Sequence, residues 1–172
     1  MVVAIDPAGT SKETSSETGI IVAGKIREEG YILADRSGRY SPRKWAEVAI
    51  SLYEEFKADR IVAEKNYGGE MVEYTLRTVD PHVSYKAVDA TRGKRIRAEP
   101  IASLYEKGAI WHVGHFNELE DQLCTWEPDS GQESPDRLDA TVWALTELFP
   151  KRAIVEAGGF SVKGRSYFKS LG

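Results

Sequence analysis

An α/β fold is predicted for this chain: a mixed sheet, with an antiparallel three-strand meander followed by parallel strands, flanked by helices. Three observations predict it. Three apolar runs come first, VVAI (2–5), TGIIVAGK (18–25) and GYILADR (30–36), and the linker between the last two is short enough for a hairpin. From Ser41 onward, segments with apolar residues at helical spacing alternate with further short apolar runs. A chain of 172 residues, 41% hydrophobic and 29% charged, makes one ordinary globular domain long enough to bury a core.

The first run reads as a buried strand that ends in Asp6 and the turn residues Pro7, Ala8 and Gly9. After the meander, Ser41 caps a helix with Pro42 at its first position, and Trp45, Val48, Ala49, Leu52 and Phe56 form its apolar stripe. ADRIVAEKN supplies a strand of Ile61, Val62 and Ala63 ending in Glu64. Gly68 and Gly69 precede a helical stretch through Val72, Leu76 and Val79, and residues 83–88 make another short strand. A helix follows over 94–107, ended by Gly108, and then the apolar AIWHV (109–113). Residues 117–126 are helical and PDSGQESP (128–135) is a polar loop. Ser134 is expected to cap the last helix with Pro135 at its first position, and Leu138, Val142, Leu145 and Phe149 form its core stripe. The domain thus spans 1–150, and 151–172 is a basic tail expected to be loosely ordered. There is no internal repeat.

Composition excludes several classes. A single cysteine, Cys124, rules out an internal disulfide framework and fits a reducing compartment. No apolar run approaches the ~20 residues that span a bilayer, and the N-terminus has no signal-peptide pattern. A cytoplasmic protein without membrane contact is expected. The net charge of −4 exerts no general pull on nucleic acid, but the charge is segregated. From His115 to Asp139 the local sum is −7, whereas TRGKRIR (91–97) holds four bases and no acid, and the tail sums to +4. Each run taken alone could be solvated surface. A mean charge near neutral can still conceal an acidic site beside basic grips.

Two hairpin links followed by a right-handed crossover would set the fourth strand parallel to the first. If the two are neighbours, their ends lie ~4.8 Å apart, and Asp6 and Glu64 meet at one edge of the sheet. Each acid has a plain alternative: Asp6 could start a turn, and Glu64 could pair with Lys65 or Arg60. Asp136 and Asp139 could simply favour a helix N-terminus, where a negative charge gains ~0.3–1 kcal/mol. Their joint occurrence is the argument for a site, because two buried strands end in acids and the helix presents two more at i and i+3. Converging carboxylates raise one another's pKa and need a cation. Oxygen ligands without a Cys or His cluster suit Mg²⁺ or Mn²⁺. Two such ions ~3.5–4 Å apart are the usual device for phosphodiester hydrolysis.

Other chemistries fit less well. GTSKETSSETG lacks the order of a phosphate-cradling loop. His82, His112 and His115 lack helical metal spacing; His112 and His115 could pair with a ligand, though a structural or surface role suits them better. Cys124, beside Leu123 and Trp126, reads as a buried small hydrophobe. A two-carboxylate glycosidase would not explain acids at one strand edge facing a helix N-terminus.

The blocks VVAIDPAGTS…TGIIVAG, RIVAEKNYGGEMV, KRIRAEPIASLYEKGAIWHVGHFNELEDQL and SPDRLDATVWAL resemble, in the family's order, the nuclease domain of the large terminase subunit of tailed bacteriophages and prophages. The resemblance runs from about Val2 to Leu148 and implies a ribonuclease H-like fold and metal-dependent cleavage of double-stranded DNA during packaging. On that resemblance Asp6 matches the first-strand metal ligand, Glu64 the fourth-strand acid, Asp136 the acid opening the last helix, and Asp139 the Asp of the family's "DA" element. Asp6 would bridge two Mg²⁺ or Mn²⁺ ions, with Glu64 and Asp136 completing one site each and Asp139 as auxiliary ligand or orienter. Many relatives carry an acid or His where this chain has Pro135, a departure that bears on the second ion. Arg92, Lys94, Arg95 and Arg97 would contact DNA phosphates, and Tyr67 could stack on DNA or pack. A large terminase normally carries an ATPase motor, which nothing here resembles; an excised domain or free-standing fragment is expected. It would work in the bacterial host cytoplasm with the ATPase domain, small terminase or portal. A junction-resolvase-like nuclease and a catalytically inactive DNA-binding or assembly domain remain as alternatives.

Overall fold

A computed structural model describes residues 1–7, 17–65, 69–89, 93–128 and 135–150. Expectations placed on Ala8 and Gly9, Tyr67 and Gly68, Arg92, Ser134 and the tail 151–172 lie outside the described residues.

The described residues form one six-stranded mixed sheet with five helices. The elements are β1 (Val2–Asp6), β2 (Gly19–Ile26), β3 (Glu29–Asp35), α1 (Pro42–Glu55), β4 (Arg60–Glu64), α2 (Gly69–Val79), β5 (Tyr85–Val88), α3 (Lys94–Glu106), β6 (Ile110–His112), α4 (Asn117–Thr125) and α5 (Asp136–Leu148). The spatial order is β5-β4-β1-β2-β3-β6. β1, β2 and β3 are the antiparallel meander, and β4, β5 and β6 join by parallel pairing. This is the mixed sheet the sequence predicts, a three-strand meander joined by parallel strands, extended by a sixth strand from AIWHV. The hairpin turns at Arg27, whose φ of 56° is the left-handed region that a two-residue turn demands.

Alternation along β1 divides the core into two layers. Val2 and Ala4 face the layer covered by α3, α4 and α5, and Val3 and Ile5 face the layer covered by α1 and α2. All four are at most 3% exposed, which is why the run is apolar throughout instead of alternating. At ~1.5–3 kcal/mol for each large side chain, burial of such strands dominates the stability of the sheet. The α1 cap follows the sequence: Ser41 Oγ accepts from Lys44 N and Pro42 opens the helix.

One expected boundary is corrected. Pro135 stands at the N-cap of α5, extended at φ −70° and ψ 145°, and not inside its first turn. A proline at this place supplies no side-chain cap, so the helix starts on Asp136, whose charge and that of Asp139 complement the helix dipole instead.

Candidate active site

The parallel pairing of β1 with β4 sets Ile5 level with Ala63, so the next residues, Asp6 and Glu64, end neighbouring strands side by side. On its other flank Asp6 pairs with Gly19, the first residue of β2. α5 crosses this end of the sheet with its first turn pressed on Gly19. A Cβ there would stand 2.1 Å from the Asp136 carbonyl oxygen and 3.0 Å from Ala140 Cβ. Glycine is therefore the residue that lets α5 bring Asp136 and Asp139 down to the ends of β1 and β4.

The electrostatics record the convergence. The Asp6 carboxyl is held well above the usual carboxylate range, first by burial, then by the charges of Asp139, Asp136 and Glu64, which Lys94 only partly offsets. Burial pushes Asp136 up to about 6, with Asp139 and Glu17 adding to it and Lys94 opposing. Burial also raises Glu64; Arg97 and Lys94 lower it and Asp139 raises it. The charges of Asp139, Asp136 and Glu64 thus all reach Asp6.

Two of the four predicted basic grips are built into this cluster. Lys94 Nζ donates to Asp139 Oδ2 at 2.8 Å. Burial alone would pull its ammonium down, but Asp139, Asp6 and Glu64 more than reverse this and its pKa is raised. Arg97 Nη1 lies 3.7 Å from Glu64 Oε1, and its guanidinium is stacked on the Trp143 ring 4.4 Å from the centroid. Arg95 turns the other way and pairs with Glu99 one helical turn on.

A second charged group secures the start of α5. Arg137, 5% exposed, donates to Asp35 at 2.8 Å and to Glu17 at 3.2 Å, and pairs with Glu118 at 2.8 Å. It joins the approach to β2, the end of β3, and α4 to the turn that carries Asp136. Arg137 is the lone base between His115 and Asp139, and nothing near it in sequence names Asp35 or Glu17 as its partners. His112 is structural: its two ring nitrogens are bonded to the Tyr105 hydroxyl at 2.9 Å and to Glu120 at 3.0 Å. Cys124 is partly buried, and burial raises its thiol pKa, so it has no nucleophile's character. A groove between α1 and α2, lined by Pro42, Arg43, Tyr74 and Thr78 among others, contains no acid of the cluster.

Among the described residues no three His, Cys, Asp or Glu side chains stand as a ready-made cation cage. The donor set nevertheless fits a hard divalent ion: it is oxygen-only, and burial together with the neighbouring acids raises Asp6 and Asp136 towards protonation, which a bound cation would oppose. The Lys94 ammonium is the cation that occupies it in part.

The raised Asp136 pKa has a measurable consequence. Because the folded value lies above the ordinary 3.8, the native state binds more protons than the unfolded one between that value and about 6. The contribution of this group to stability therefore falls as pH rises through that window. In EDTA, Asp136→Asn should be the more stable protein at pH 7, by about 1–2 kcal/mol once solvent screening of a partly exposed group is allowed for. The gain should vanish below about pH 4. Thermal melts across this range check it.

Comparisons with known proteins identify the fold and the family. The family described as "Terminase RNaseH-like domain" matches residues 3–148. Among solved structures, the human cytomegalovirus terminase nuclease domain, Mn-soaked and inhibitor-bound, is 18% identical, covers 88% of this chain and 84% of its own, and superposes with a TM-score of 0.57. The large terminase nuclease of the thermophilic phage G20c gives 12%, 85% and 82%, and 0.58. Thermus thermophilus RuvC gives 15%, 90% and 96%, and 0.50. No curated protein matches the sequence. At these identities the structures establish the shared ribonuclease H-like fold; it is the family match over nearly the whole described domain that shows the chain to belong to the terminase ribonuclease H-like nuclease domains.

Proposed function

We propose that this chain is a two-metal-ion endonuclease that cuts double-stranded DNA during phage genome packaging. The observation that carries the reading is the approach of Asp6 and Glu64, from the ends of β1 and β4, to Asp136 and Asp139 of α5, where burial and neighbouring acids raise Asp6 and Asp136. The family match supports nuclease chemistry, and a fold relative prepared with manganese supports a divalent ion.

Asp6, central to the cluster, would bridge two ions; Glu64 would complete one site and Asp136 the other, with Asp139 as auxiliary ligand or orienter. When bound, Mg²⁺ or Mn²⁺ supplies the positive charge that makes water acidic enough to attack a phosphodiester and that stabilises the leaving oxygen. The protein's own part is to hold the acids on rigid strand ends and a helix start, so that little reorganisation is needed when substrate arrives. Arg137 keeps the α5 start in place. Arg95, in the first turn of α3, and Arg92 would contact the flanking phosphates in a weakly sequence-dependent, salt-sensitive manner. In the host cytoplasm the natural partners would be the ATPase domain, the small terminase and the portal. No helix among the described residues is long and apolar enough to cross a membrane.

Incubation with supercoiled plasmid tests the reading. Nicked and then linear DNA should form with Mn²⁺ or Mg²⁺ and neither form in EDTA. A four-way junction cut no better than linear duplex separates this activity from that of a resolvase. Intact plasmid at millimolar Mn²⁺ overturns it.

A further inference from the structure

The first turn of α3 is charged against its own helix. Lys94, Arg95 and Arg97 crowd an N-terminus that has no acid in its first turn and whose N-cap, Gly93, supplies no side-chain cap. Cations there oppose the helix dipole. Arg95 is answered by Glu99 on the helix's outer side. Lys94 and Arg97, three residues apart and so on one face, turn instead to the acid cluster. Arg97 is held on both sides, by Trp143 from α5 and by Glu64 from β4, and only 11% of its side chain is exposed. A guanidinium so enclosed is badly placed to leave its pocket for a DNA phosphate, and stacking on an indole face holds it there. Asp139, the partner of Lys94, is 7% exposed.

We propose that Lys94 and Arg97 are internal counter-cations of the acid cluster, not DNA grips, and that they hold its affinity for divalent ions down until a DNA phosphate brings compensating negative charge. The proposal rests on the nuclease reading and adds a regulation to it. Four carboxylates facing two fixed cations bind a further positive ion less tightly than four carboxylates alone. A phosphodiester drawn into the cluster restores the missing negative charge, so that ion loading and DNA engagement reinforce each other. The protein would then be poorly loaded, and quiet, when no DNA lies in the site.

The test reads ion binding without DNA and DNA binding without ions. Mn²⁺ titration of the DNA-free protein, by calorimetry or by the loss of the free-ion paramagnetic signal, should show Arg97→Gln binding about tenfold more tightly than wild type. Arg97→Lys, which keeps the charge, should stay near wild type. In EDTA, Arg97→Gln should leave the salt dependence of duplex binding unchanged; a phosphate grip would lose a slope of about 0.9 on removal. Unchanged or weakened Mn²⁺ binding in Arg97→Gln, or that loss of slope, overturns the proposal. Should Arg97→Gln fail to fold, Lys94→Gln, altered at a half-exposed side chain, carries the same Mn²⁺ measurement with the same two outcomes. Asp6→Asn in parallel separates the levels: Mn²⁺ binding as in wild type would sink the metal-site reading itself, whereas its loss leaves only the counter-cation claim at stake.

Discussion

Asp6→Asn is expected to lower Mn²⁺-dependent nicking of supercoiled plasmid at least about a thousandfold, equivalent to ~4 kcal/mol of barrier, while making the metal-free protein more stable. The two effects share one cause. Asp6 is buried among three other acids, and its carboxyl is raised well above the usual range by burial first and by Asp139, Asp136 and Glu64 after it. A raised folded-state pKa means that ionisation works against folding, so the group's contribution to stability drops as pH climbs above 3.8 towards the folded value. Asparagine keeps the shape and removes the charge. Nicking rates and thermal melts in EDTA at pH 7 are the paired measurement. A variant that melts lower and still cuts DNA would make Asp6 a structural residue.

The side-by-side placement of Asp6 and Glu64 was legible because strand chemistry is local. VVAI (2–5) and IVA (61–63) are apolar at every position, which only strands covered on both faces tolerate, and each is followed by a carboxylate. Two hairpins and one right-handed crossover then suffice to make β1 and β4 parallel neighbours. The direction of the α3 bases was less legible. TRGKRIR reads as a solvated basic run, and a phosphate grip is the natural inference from composition. Yet Lys94 and Arg97 continue the stripe of Ile101, Leu104 and Tyr105 backward by helical steps, and those residues are buried. Periodicity thus held the signal that two of the bases face inward and the third does not, and charge density hid it. The partner that holds Arg97, Trp143, lies 46 positions further on. No local pattern supplies that pairing, since it depends on how α5 crosses the sheet. Arg137 is a similar case: its partners Asp35, Glu17 and Glu118 come from three separate segments.

Gly19→Ala should be among the most damaging single changes outside the acids themselves, although it adds one methyl group to a strand residue with an ordinary backbone. The methyl has no space: its position lies 2.1 Å from the Asp136 carbonyl oxygen and 2.6 Å from that carbonyl carbon, both backbone atoms, and no side-chain rotation can clear them. Either β2 or the first turn of α5 must shift. β2 is fixed in the middle of the sheet between β1 and β3, so α5 is the element that yields. Overpacking of this kind costs about 1–3 kcal/mol or more, against a typical total of roughly 5–15. The larger effect should fall on chemistry. A displacement of α5 by about 1 Å moves Asp136 and Asp139 away from Asp6 and Glu64, and misplacements of that size cost on the order of a hundredfold in rate. The two consequences are separable. A protein that remains folded by circular dichroism, melts several degrees lower and loses both Mn²⁺ binding and nicking shows that the α5–β2 contact sets the geometry of the cluster. Retention of wild-type nicking by a folded Gly19→Ala variant would mean that the acids act without α5 seated on β2, and that Asp136 and Asp139 contribute nothing the strand acids do not.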